Sequence, residues 1–315
     1  MSSLFVDRRG IEIEIEGEAL VFREQGERVG TVPIAPLDRV FLRGDVTLKT
    51  SVLGKLGEHG IGVVILSGRK AEPTLLMARP HNDAARRVTQ YRLSLDAEFC
   101  RTFAEAIVEC KLREQLRLLG ELRESSLASR YQLTVRMRNI QGMLDRVGNA
   151  GSVATLRGIE GAAAAEYFAG LGDVVPQSLH FSTRNRRPPK DPLNALLSLG
   201  YTLLHSEAVT ALYGAGLDPF VGFMHALDFG RESLACDVVE PLRVDVDRFS
   251  LGLFRSGELR PEDFSTTESG CMLGKAGRSR YYQAYEGLAE SLRRKLAQSI
   301  GDIAGVLGDR CQPGH

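Results

Sequence analysis

No apolar run in this 315-residue chain approaches the roughly 20 residues of a membrane-spanning helix. The N-terminus MSSLFVDRRGIEIEIEGEAL also lacks the charged lead, apolar core and cleavage site of a signal peptide. A soluble, cytoplasmic protein with no membrane partner is expected. Net charge is lacking too, since 40 acidic residues balance 40 basic ones. That balance excludes a globally basic nucleic-acid binder, but not one with its charges segregated onto one face. Cysteine pairs are missing as well. Cys100, Cys110, Cys236, Cys271 and Cys311 contain no CxxC, and an odd number suits a reducing compartment better than a disulfide framework. Cys236, beside Asp237, reads as a small buried hydrophobe before a ligand or nucleophile. There is no internal repeat, and low complexity stops at the run Ala162 to Ala165.

What is present divides into two parts of different period, and the fold class it predicts is α+β. Residues 1–80 read as a β-rich domain. Ile11, Ile13 and Ile15 alternate with Glu12, Glu14 and Glu16, as a half-buried strand requires. Short strands over 19–23, 28–33 and 39–42 suggest an antiparallel meander, followed by a helix over 50–59, a buried strand over 61–66 and a short strand over 74–78. Beyond a short junction at Pro80 to Asn82, residues 81–315 read as an α-helical domain. It opens with one long amphipathic helix over 83–124, whose apolar residues recur at steps of three to five. Further helices are expected at 127–146, 153–169, 192–214, 220–227, 235–253 and 281–299.

The densest chemistry lies in 216–243, GLDPFVGFMHALDFGRESLACDVVEPLR. On one continuous helix, His225 and Glu240 would stand about 22 Å apart, too far to share an ion. The chain must turn between them, with Gly230 as breaker and Ser233 as a plausible N-cap. His225 can then face Asp237 and Glu240. One imidazole with carboxylates suits Mn2+ or Mg2+ better than structural zinc. The plainer reading, a satisfied histidine beside a solvated acidic helix face, stays open.

Glu160, in LRGIEGAAAAEYF, sits among glycines and alanines that would let other helices crowd it, so it needs a partner. An ion shared with His225 and Glu240 would serve, and so would Arg157. The loop STRNRRPPKDP carries Arg184, Arg186, Arg187 and Lys190, fit either to grip phosphates or to sit solvated on a surface. Lys275, Arg278 and Arg280 beside Tyr281 and Tyr282 mix cations and rings as single-stranded nucleic-acid sites do, although such tyrosines also build cores.

Together, the glutamate of GIEG, the run RRPPKDPLNALLSLGYTLL, then GLDPFVGFMH and SLACDVVEPLR resemble, in order and spacing, the CRISPR-associated spacer integrase, the metal-dependent endonuclease of the adaptation step. The resemblance covers essentially the whole chain, including NDAARRVTQY at the junction. It implies an N-terminal β-domain that mediates homodimerisation and a C-terminal α-helical catalytic domain. It implies a catalytic metal site of Glu160, His225 and Glu240 for Mg2+ or Mn2+, with Asp237 as supporting acid and His225 as a ligand rather than a base. Arg243 falls where the family places a basic residue near DNA, and Arg86 and Arg87 fall in its junction motif.

The implied chemistry is 3′-hydroxyl attack on a phosphodiester, inserting new spacers into CRISPR arrays. The implied partners are double-stranded and branched DNA and a small ferredoxin-like adaptation protein. Two other functions compete, a related mobile-element DNA integrase and a DNA-binding scaffold without catalysis. A metallohydrolase of small phosphoesters is a further class, separated by its indifference to DNA.

Overall fold

The computed structural model describes residues 2–66, 73–77, 84–185, 188–268 and 270–310. The expected junction at Pro80 to Asn82 and Cys311 lie outside them. The chain forms two compact units, Met1–Asn82 with Tyr281–Glu290, and Asp83–Arg280 with Ser291–His315.

In the first unit the strands are β1 (Ser2–Asp7), β2 (Ile11–Glu16), β3 (Ala19–Glu24), β4 (Glu27–Pro33), β5 (Leu37–Arg43) and β6 (Val46–Leu48). Helix α1 (Thr50–Glu58) then leads to β7 (Gly62–Ile65) and β8 (Thr74–Leu76). The isoleucine face of β2 is inward as expected, with Ile11 and Ile13 buried while Glu12 is exposed. A tight turn joins β3 to β4, where Gln25 and Gly26 both take positive φ (53° and 84°), the backbone twist that suits a two-residue hairpin.

The antiparallel meander expected from the sequence holds only for β2, β3 and β4. The sheet β4-β3-β2-β6 closes with β6 parallel to β2, and in the sheet β1-β5-β7-β8 both β1 and β7 run parallel to β5. Parallel neighbours need a crossover. Helix α1 lies on the connection from β5 to β7, and its Val52 and Leu56 join Leu20, Ile34, Val40 and Val63 in the core. In the segment Tyr281–Glu290, Tyr282 stacks on Phe5 with centroids 4.5 Å apart, and Phe5 stacks in turn on Phe41 at 4.6 Å.

The second unit holds α2 (Ala84–Ser94), α3 (Ala97–Ser125), α4 (Arg130–Leu144), α5 (Val153–Gly172), α6 (Pro192–Gly214), α7 (Ser233–Val239) and α8 (Arg243–Arg255). A ribbon of β9 (Phe264–Thr267) and β10 (Gly270–Leu273) then precedes α9 (Lys275–Asp309), which begins earlier and ends later than its pattern suggested. The expected helix over 83–124 is two helices, because the Asp96 carboxylate caps α3, accepting from the backbone N–H groups of Glu98 and Phe99 at 3.0 Å. Ser152 caps α5, and Asp191, followed by Pro192 in the first turn, caps α6. Helices α3, α4 and α5 share a core of Leu112, Leu119, Leu133, Ile140, Leu156 and Tyr167. Gly170 permits close contact there, since a Cβ would stand 3.0 Å from Leu119 Cδ2.

Candidate active site

Three elements of the second unit bring two glutamates onto one lysine. Glu160 projects from the middle of α5. Glu240 opens a single 3-10 turn, Glu240–Leu242, whose Pro241 ends the α7 pattern. Lys111 extends from α3, and its Nζ contacts Glu160 Oε1 and stands 2.5 Å from Glu240 Oε2. The Lys111 and Glu240 side chains are each only 8% exposed and Glu160 is 22% exposed, so the charges meet largely out of water.

Burial works against the Lys111 ammonium, but the two carboxylates outweigh it and raise its pKa. Burial likewise pushes Glu240 upward. Arg243 and Lys111 overcome that and bring its carboxyl down to about 2. Glu240 Oε1 also accepts from Arg243 Nε at 3.0 Å.

Glu160 is thus partly desolvated, as expected, but not through its glycines. A Cβ on Gly158 or Gly161 would meet nothing within 4 Å, and the packed face of α5 is instead Leu156, Ile159 and Ala163.

His225 lies on a loop, which corrects the helix expected at 220–227. The reason is Asp237. Its buried carboxylate accepts from the backbone N–H groups of Phe223, Met224 and His225 at 2.7 to 3.0 Å, so these amides are spent on a side chain instead of a helical ladder. Gly222 lets the loop come this close, because a Cβ there would stand 2.7 Å from Asp237 Oδ2 and 2.8 Å from the Ser233 carbonyl carbon.

The same carboxylate receives His225 Nδ1 at 2.7 Å. A carboxylate only accepts, so Nδ1 carries the proton and Nε2 is the ring nitrogen left to meet a ligand. Asp237 is therefore an orienting residue in the manner of a ligand's outer partner. Gly230 breaks the chain at φ 73° as expected, whereas the N-cap of α7 is Glu232 and Ser233 is its first residue, bonding the Ala226 carbonyl.

The cleft beside the glutamates, about 50 Å3, is lined by Lys111, Gln115, Tyr167, Arg184, Tyr201 and Asp247 among others. That volume admits an ion or a few waters but not a nucleotide. Arg184 and Arg243 both lie over the Tyr201 ring, at 5.3 and 4.6 Å from its centroid. Asp247 Oδ1 accepts from Tyr201 at 2.5 Å and Oδ2 from Tyr167 at 2.7 Å. Burial pushes the Asp247 carboxyl up to about 6, although both phenols and the arginines pull it down.

Of the predicted site residues, Glu160, Glu240, Arg184 and Arg243 share this cleft, while His225 is held on Asp237 and adds electrostatically to the depression of Glu240. Among the described residues, no three His, Cys, Asp or Glu side chains gather as an ion-holding group; the glutamates meet on an ammonium instead. Arg186 and Arg187 lie outside the described residues. Arg86 hydrogen-bonds the Ala215 carbonyl at 2.5 Å. Burial pushes the Cys236 thiol up to about 11, which fits its reading as a hydrophobe.

Sequence reasoning missed Lys111, Gln115, Tyr167, Tyr201 and Asp247. A signal existed for the first two. They fall in register with the buried stripe Ala104, Val108, Leu112 and Leu119, where a lysine and a glutamine need a reason to be.

A family model described as CRISPR associated protein Cas1 matches residues 4–287. A CRISPR-associated endonuclease Cas1 from Thermodesulfovibrio yellowstonii is 42% identical over 289 residues, 91% of each chain. Among solved structures, a CAS1 protein from Thermotoga maritima superposes with a TM-score of 0.85 at 23% identity, covering 98% of this chain and 97% of that one. A casposase bound to integration product gives 0.81 at 21%, covering 97% and 91%. A Cas6-RT-Cas1–Cas2 complex gives 0.83 at 25%, covering 98% of this chain and 35% of that one. No helix among the described residues is long and apolar enough to cross a membrane. With the family pattern running from residue 4 to residue 287 and a named relative at 42% identity, this chain belongs to the Cas1 family.

Proposed function

We propose that the protein is a divalent-metal-dependent DNA endonuclease and integrase that inserts spacers into CRISPR arrays by 3′-hydroxyl attack on a phosphodiester. The observation that carries this reading is the meeting of Glu160 and Glu240 in a cleft shared with Arg184 and Arg243, with His225 held at Nδ1 by Asp237 and acting electrostatically on Glu240. Two carboxylates and one neutral imidazole form a mixed oxygen and nitrogen donor set that suits Mg2+ or Mn2+. Glu160, Glu240 and His225 would hold the ion. A bound ion there supplies Lewis-acid stabilisation of the charge that grows on the attacked phosphodiester.

The chain's own residues do the rest. Asp237 fixes the imidazole tautomer. Tyr201 supports the Arg184 and Arg243 guanidiniums, which bind phosphate and keep the strands aligned for attack. The cleft is too small for a nucleotide, so DNA approaches it from outside and presents a backbone phosphate. In this reading the protein works as a homodimer with a small ferredoxin-like adaptation partner. The likeness to a Cas1 chain in a complex with Cas2 supports that assembly.

The test is strand transfer on branched DNA with and without Mn2+. Wild type should nick and join only with metal. His225→Ala and Glu240→Gln should lose activity by orders of magnitude while DNA affinity changes little. Full activity in both variants would refute the site, and DNA binding without any transfer by wild type would leave a scaffold.

A further inference from the structure

The most unexpected group in the site is a cation that belongs to the protein. Lys111 is buried, its ammonium touches one carboxylate from α5 and one from the turn before α8, and no reading of the family motifs requires it. Two carboxylates converging out of water repel one another unless a cation stands between them. Lys111 supplies that cation where a divalent ion shared by Glu160 and Glu240 would also have to sit.

A second, independent observation lies one helical turn away. Gln115 is 1% exposed, lines the same cleft, and its Oε1 is buried with no hydrogen-bond partner among the described residues. Residues four apart on a helix are neighbours on one face, and long side chains lean back toward the preceding turn. The Gln115 carboxamide oxygen is therefore an acceptor within the swing of the Lys111 side chain, and a buried acceptor left unpaired is costly.

We propose that Lys111 is a displaceable internal counter-ion. It holds Glu160 and Glu240 together in the metal-free protein, and it yields to the divalent ion by moving along α3 to the carboxamide oxygen of Gln115. This rests on the metal reading above. The displaced ammonium stays in the cleft that Arg184 and Arg243 also line, and adds a positive charge where a DNA phosphate enters. A purely structural ion triad would behave differently, since removing its lysine would leave the glutamates badly placed and weaken any metal binding.

The experiment is calorimetric titration of the full-length protein with Mn2+ alone, for wild type, Lys111→Met, Gln115→Leu and Glu160→Gln. Lys111→Met should tighten the Mn2+ Kd by about tenfold, because the competitor is gone. It should also melt lower than wild type without metal and recover when Mn2+ is saturating. Gln115→Leu should weaken Mn2+ binding several-fold, having lost the acceptor for the displaced ammonium.

Equal or weaker Mn2+ binding by Lys111→Met, with wild type binding normally, would overturn the proposal and leave the metal site standing. If wild type and Lys111→Met both bound no better than Glu160→Gln, the metal reading itself would fall. Wild type alone gives a check that needs no variant to fold. In NMR of wild type, the Lys111 ammonium should exchange its through-space contacts with the Glu160 side chain for contacts with the Gln115 carboxamide when Mg2+ is saturating, and unchanged contacts reject displacement.

Discussion

Asp247 and Glu240 sit in the same cleft and are displaced in opposite directions, which gives the protein an acid profile with a definite shape. Burial raises Asp247 to about 6 from an ordinary 3.8, so between those values the folded state holds a proton that the unfolded state has released. Stability must then fall as pH rises through that window. The full effect is on the order of 3 kcal/mol, at about 1.4 kcal/mol for each pH unit between the two values. Glu240, brought down to about 2 from 4.5, acts the other way: its contribution is present above 4.5 and lost as pH falls toward 2. Asp247→Asn should flatten the decline between pH 4 and 6 in denaturant titrations while leaving the acid limb in place. A decline of unchanged slope would show that another group carries it.

At the scale of elements, the loop that carries His225 depends on a single carboxylate. Three backbone amides and one imidazole nitrogen converge on Asp237, and Gly222 gives them the room. Gly222→Ala should therefore destabilise the protein by about 1–3 kcal/mol, the usual cost of forcing a methyl into a packed site. It should weaken Mn2+ binding as well, because the imidazole loses its fixed direction. Calorimetry and chemical unfolding on the same variant check both, and unchanged metal affinity would uncouple the loop from the site.

This loop also marks where sequence reading stops. FVGFMHAL has helix-like apolar spacing, but an acceptor more than ten residues away in sequence takes the amides that a helix would use. The break at Asp96 obeys the same logic on a shorter range and was legible in principle, as an aspartate placed to cap the helix that begins at Ala97. The strand alternation of β2 was plainly readable, since its cause is local. Its parallel pairing with β6 was not, because strand neighbours are chosen by crossovers that leave no mark on either strand. In the site, Glu160 was legible as a carboxylate in need of a partner and Glu240 as a candidate ligand facing His225, whereas Lys111 was hidden inside an amphipathic stripe as one more helical residue.

For the whole molecule, zero net charge makes the salt dependence of DNA binding a sharp measurement. Only local cations can release counterions, so Arg184→Glu should reduce the slope of log affinity against log salt by about one contact's share, roughly 0.9. An unchanged slope would move the DNA path away from this cleft. Homodimerisation is testable at the sheet edges. Among the described residues, strand β2 is paired on both sides, while β4 has a neighbour only in β3 and exposes 47% of Val29. A dimer built on that edge should dissociate on Val29→Asp, read as a halved mass by sedimentation. A dimer that persists would place the interface elsewhere.

The aromatic stack of Phe41, Phe5 and Tyr282 joins residues separated by nearly the whole chain. On the ribosome the N-terminal unit emerges first, yet it cannot complete that stack until the segment ending at Glu290 has been made. For most of synthesis the face of Phe5 stays uncovered and open to chaperones. A stalled chain ending at residue 200 should therefore keep its N-terminal strands sensitive to protease, and one extended well beyond residue 290 should protect them.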